Sequence, residues 1–147
     1  MQASSLPPIL TASRDLLAGY DVLFCDVWGV IHDGFLAFPG AMRALTEFRH
    51  RGGTVVLVSN APVPVQRVAQ MLADKNVDPA SYDAIVSSGA IALAHIREKN
   101  YSAVYVIGPR DRDAAFMEHL TAEMVALDDA EAIVCTGLND DRTETVA

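Results

Sequence analysis

The sequence predicts an α/β protein built on parallel, Rossmann-like strands. Short apolar, β-prone runs alternate with segments of helical periodicity along the chain. Several of these runs stop at a polar residue, as at Asp26, Ser59 and Ser87. Strands separated by helices of this length imply parallel βαβ crossovers, and such sheets bind ligands at the carboxyl ends of their strands.

The elements follow in order. Ile9, Ala12, Leu16, Leu17 and Tyr20 recur at helical spacing, with Gly19 as a stop, and predict a short leading helix. Val22 to Cys25 reads as a buried strand ending at Asp26. Pro39-Gly40 opens a helix whose Ala41, Leu45 and Phe48 share one face, and Gly52-Gly53 closes it. Thr54 to Val58 is a second buried strand, ending at Ser59-Asn60. After Pro62 and Pro64, Val65, Val68, Ala69 and Leu72 mark the next helix. The third strand is Ala84 to Ser87. Beyond Gly89 the alternation predicts a helix over 90–99, a strand over 103–107, a helix over 113–120 and a strand over 132–136.

With 147 residues, 51% apolar and 20% charged, the chain suits an ordinary globular core, either one domain or one domain with part of another. A net charge of −8 without a Lys or Arg cluster argues against nucleic acid or an anionic membrane as partner. An anionic substrate would then need local help from a metal ion or from helix N-termini. Cys25 and Cys135 sit in apolar runs without metal-ligand spacing, which predicts buried, reduced thiols and a cytoplasmic setting. The sequence shows neither a signal peptide nor an apolar run long enough to span a membrane.

Asp26, directly after four apolar strand residues, has the position of a nucleophile held at a sheet's carboxyl edge. Gly29 permits a turn whose amides could face an anion, and Ser59, one βα unit later, brings a hydroxyl to the same edge. Taken singly, these are also ordinary turn and cap residues. Arg110, in Gly108-Pro109-Arg110-Asp111, is read as an exposed turn sooner than as a substrate contact. The run Asp128-Asp129-Ala130-Glu131 lacks a calcium-loop pattern and is read as a solvated connection. His50, His95 and His119 are read as surface or capping residues.

Together the residues carry a resemblance. The stretch from Phe24 to Gly34 (Phe-Cys-Asp-Val-Trp-Gly-Val-Ile-His-Asp-Gly), then Phe38-Pro39-Gly40-Ala41, then Val56-Leu57-Val58-Ser59-Asn60, resembles class IIA of the haloacid dehalogenase superfamily. The likeness continues through Val86-Ser87-Ser88-Gly89-Ala90, Val104 to Gly108 and Ala132 to Gly137. This group includes p-nitrophenyl phosphatases, pyridoxal phosphatases and sugar phosphatases. It implies that residues 1–88 are the N-terminal part of the core, with three of its strands, and residues 89–147 the first part of an inserted α/β cap. It also implies that Asp26 becomes an aspartyl-phosphate and ligates Mg²⁺ together with the backbone carbonyl of Trp28, and that Ser59 and Asn60 hold the phosphoryl group. The expected substrate is a small phosphorylated metabolite.

Two departures stand out. Phosphatases of the superfamily carry a general-acid Asp two residues after the nucleophile, and here that position is Trp28. Indole has no titratable proton near neutral pH, and loss of a general acid typically costs about 10² to 10⁴ in rate. Either His32 or Asp33 substitutes for it, or both simply form a flap turn with Gly34. A catalytically lapsed protein that binds a phosphorylated ligand is the competing function. Secondly, the resemblance places a phosphoryl-stabilising Lys and further Mg²⁺-binding Asp residues after the cap, so the 147 residues alone are expected to be nearly inactive. The first core strand would be left on an edge, which invites association, including homo-oligomers.

Overall fold

The computed structural model describes residues 13–139 and Thr143. The leading helix is seen as α1 (Arg14–Leu17), and Ile9 and Ala12 lie outside the described residues. The first unit runs β1 (Val22–Asp26), α2 (Pro39–His50), β2 (Thr54–Ser59), α3 (Val65–Ala73) and β3 (Ala84–Ser87). Its three parallel strands lie in the order β1-β2-β3, with Asp26 in register with Val58 and Ser59 with Ser87. The second unit runs α4 (Ser88–Lys99), β4 (Ala103–Ile107), α5 (Ala114–Met117), β5 (Glu123–Met124) and β6 (Ala132–Cys135), again all parallel, in the order β5-β4-β6.

Each sheet has its own buried cluster. Leu45 and Phe48 of α2 and Val68 and Leu72 of α3 cover Cys25, Val55 and Leu57 on one face of the first sheet. Leu93 and Ile96 of α4 cover Val104, Val106 and Val134 on the second, with Phe116 of α5 beside them. The opposite face of the first sheet stays open. Val22, Phe24 and Val58 are exposed, so the strands expected to be buried throughout are buried on one face only. Both helices of this unit pack on the same side, and β1 remains an edge as expected.

The helix start read at Pro39 is observed, and the structure adds the caps of α4. Pro39 occupies the first turn of α2, where its missing N–H has no intrahelical partner to lose. Ser87 caps α4, its hydroxyl accepting from the Ala90 N–H at 3.3 Å. Asn100 ends that helix in the left-handed conformation. The helix expected over 113–120 is only Ala114–Met117, because the chain tightens at once into turns with His119 N–H on the Phe116 carbonyl and Leu120 N–H on that of Met117. The two-residue β5 is too short to leave a periodic signal.

At the opposite, amino-terminal edge the two sheets use one device twice. Asp83, just before β3, exchanges two bonds with Val55: its amide donates to the Val55 carbonyl, and Val55 N–H donates to its carboxylate, both at 2.8 Å. Glu131, just before β6, does the same with Ala103 and also accepts from Ser102 N–H at 2.6 Å. The acidic run is therefore more than a solvated connection. These amides and the Arg49 guanidinium, 2.6 Å from Asp83, depress both carboxyl pKa values; for Asp83 the Arg49 contact is the larger cause, and for Glu131 the Ser102 amide is. Cys25 is buried as expected, but Cys135 is exposed, because β6 turns alternate side chains away from the one covered face.

Candidate active site

A cleft of 780 Å³ opens at the carboxyl edge of the first sheet. Asp26 reaches it as the last residue of β1, and Ser59 as the last of β2, with Asn60 next to it. The parallel register explains this, since neighbouring strands end at the same level and deliver their terminal side chains together. Val27 N–H donates to the Asp26 carboxylate at 2.8 Å, which fixes its orientation while leaving acceptor capacity. Ser59 Oγ accepts from Ala61 N–H at 3.1 Å, so its own O–H remains available to donate.

Gly29 is used differently from the expectation. It takes φ +76°, as a tight turn requires, but its N–H donates to the His32 carbonyl at 2.8 Å. The next two amides also turn inward, Val30 and Ile31 both donating to the Val27 carbonyl. The turn closes on itself, and Gly29 shapes it without presenting its amide to an anion.

The profile of the haloacid dehalogenase-like hydrolases matches residues 23–122. The chain belongs to the haloacid dehalogenase-like hydrolase family. A search of curated proteins gives no match. Among solved structures, the chain is similar to a hydrolase of the haloacid dehalogenase-like family from Brucella suis 1330, with 37% identity and a TM-score of 0.78 over 94% of this chain and 52% of that one. It is also similar to NagD from E. coli K-12, with 26% identity and a TM-score of 0.57 over 78% of this chain and 45% of that one. The chain thus spans about half the length of these two proteins.

In this hydrolase-family chain Trp28 and His32 line the same cleft as Asp26. His32 is buried, and its Nδ1 accepts the Gly34 N–H at 2.9 Å, so the neutral ring carries its proton on Nε2. Burial, and secondarily the charge of Lys75, push its pKa down. Asp33 lies outside the cleft lining, its carboxylate accepting from Phe35 N–H and Leu36 N–H at 2.9 Å. Those two amides depress its pKa, the opposite of what a proton donor at neutral pH needs. The flap turn with Gly34 is what the structure contains.

Ser87, also singled out at a strand end, and its neighbour Ser88 do not line the cleft. Ser87 Oγ donates to the Val63 carbonyl at 2.7 Å, and Ser88 Oγ to that of Asn60 at 2.8 Å. They brace the loop that carries Asn60. The sequence reading missed the apolar lining that Phe24 and Val58 bring from the open face of the sheet and Met71 from α3. For Phe24 a signal existed, because it stands two residues before Asp26 on a strand and so faces the same side.

Proposed function

We propose that the chain is the nucleophile-bearing part of a Mg²⁺-dependent phosphomonoesterase of the class IIA type, acting on a small phosphorylated metabolite through an aspartyl-phosphate. Residues 1–88 are assigned to the core and 89–147 to the first part of a cap. The observation that carries this reading is the convergence of the Asp26 carboxylate, the Ser59 hydroxyl and Asn60 on one cleft. A carboxylate oxygen of Asp26 attacks phosphorus, the bond to the leaving oxygen breaks, and water later releases inorganic phosphate and restores the carboxylate. Ser59 O–H and the Asn60 side-chain amide donate to the phosphoryl oxygens.

The donor chemistry fits a hard cation in part. Asp26 and the Trp28 carbonyl would hold Mg²⁺ through oxygen, but among the described residues no group of three or more His, Cys, Asp or Glu could hold a metal ion. When bound, Mg²⁺ supplies positive charge against the phosphate dianion in a chain of net charge −8.

Covalent trapping tests the reading and tolerates slow turnover. After incubation of the intact protein, including the segments expected after the cap, with an activated phosphate ester and Mg²⁺, acid quenching and peptide mass analysis should find a phosphoryl adduct on Asp26 that is missing from Asp26→Asn. The second reading, a lapsed binding protein, is favoured by Trp28 standing in the acid position and lining the cleft. Affinity for a phosphate ester with no adduct would select it.

A further inference from the structure

Trp28 leaves 65% of its surface open, yet its indole is braced from behind. The His32 ring meets it at right angles, with centroids 5.4 Å apart and planes at 88°. Gly34, at φ +101°, packs its bare Cα against the indole, and a Cβ there would lie 2.4 Å from the ring edge. His32 is anchored in turn by the Gly34 amide. A ring fixed before any ligand arrives loses little further entropy on stacking.

The cleft beside this ring is two-sided in chemistry. Asp26, Ser59 and Asn60 supply polar lining, while Trp28, with Phe24 and Val58 from the open face of the sheet and Met71 from α3, supplies apolar lining. Phosphate needs only the polar groups, which leaves the apolar lining, and the exposed indole of Trp28 with it, to whatever the phosphate is attached to. The same indole removes the proton donor that would neutralise a departing alkoxide. A leaving group that stabilises its own negative charge has no need of that proton, and among such groups a conjugated aryloxide is the one whose planar face can stack on an indole.

We infer that Trp28 is a specificity-determining platform on which a planar, conjugated leaving group stacks, making aryl or heteroaryl phosphates the substrate class. The inference rests on the phosphatase reading of this cleft. In the transfer step the Asp26 oxygen-phosphorus bond forms as the phosphorus-aryloxy bond breaks. The electron pair leaves with the aryloxide, and no proton moves.

Trp28 is the only tryptophan in the sequence, so its fluorescence reports stacking directly. Phenyl phosphate added to the 147-residue chain should quench and shift this emission saturably, whereas glycerol 3-phosphate, of equal charge, should not. By calorimetry, Trp28→Leu should weaken phenyl phosphate binding about tenfold and Trp28→Phe about two- to threefold, with glycerol phosphate binding changing less than phenyl phosphate binding in both. Equal responses to the two esters, or no response to phenyl phosphate, would overturn the platform. In the protein extended through the segments expected after the cap, stacking without an adduct on Asp26 would retain the platform and reject the phosphatase, while an adduct without stacking would do the reverse.

Discussion

The two sheets of this molecule share size, parallel order and an amino-edge carboxylate latch, but they differ at their carboxyl edges. At the first, Asp26 and Ser59 open onto a cleft. At the second, the loops after β4 and β6 close on each other: Gly108 sits so near Thr136 that a Cβ would lie 2.0 Å from its hydroxyl, and that hydroxyl donates to the Ile107 carbonyl at 3.3 Å. A parallel sheet therefore makes its carboxyl edge available, and the following loops decide whether the edge becomes a cleft.

The largest expected effect tests whether the sheets are energetically separate. Leu57 is fully buried under α2 and α3, and Leu57→Ala should cost about 2–5 kcal/mol. Because the two buried clusters share no residue, hydrogen exchange should accelerate in β1, β2 and β3 while β4 and β6 keep their protection. Equal acceleration throughout would show one cooperative core.

Glycine substitutions sharpen the contrast between closed and open edges. Gly108→Ala meets both φ +139° and the Thr136 side chain and should cost about 2–4 kcal/mol in denaturant unfolding. Gly29→Ala meets φ +76° with nothing within 4 Å and should cost only about 1–2 kcal/mol. Similar losses would mean that the second edge is looser than its packing indicates.

Acid should act on the shared latch. The carboxyls of Asp83 and Glu131 have folded pKa values below their unfolded ones, so the unfolded chain binds more protons as pH falls. Their stabilisation is complete above the unfolded values of about 4 and is lost as pH drops through the lower, folded ones. Asp83→Asn and Glu131→Gln should each flatten this part of a stability-pH curve, in the first and second sheet respectively. The smallest effect concerns the thiols. An aqueous alkylating reagent should modify Cys135 quickly and Cys25 slowly, since Cys25 is buried and its thiol pKa is raised by burial and by the adjacent Asp26. Fast modification of both would report opening of the first sheet.

Much of this was legible in the residues alone. The apolar runs at Val22, Thr54, Ala84, Ala103 and Ala132 became strands, and Asp26, Ser59 and Asn60 came to one cleft, because burial period and strand termination are local properties. The flap from Trp28 to Gly34 was less legible. Whether His32 turned into the cleft and Asp33 out of it depends on hydrogen bonds closed across the turn, which spacing does not encode.

The sequence by itself determined the alternation of elements, the position of a carboxylate after the first strand and the tryptophan two residues beyond it, since each is written in neighbouring residues. Only the tertiary structure decided that both helices of the first unit cover one face, that Gly29 turns its amide inward, and that Trp28 stands braced in the cleft that Asp26 lines. Those outcomes depend on contacts between residues brought together by chain folding, where packing and hydrogen-bond satisfaction choose among conformations that local preference leaves nearly equal in energy.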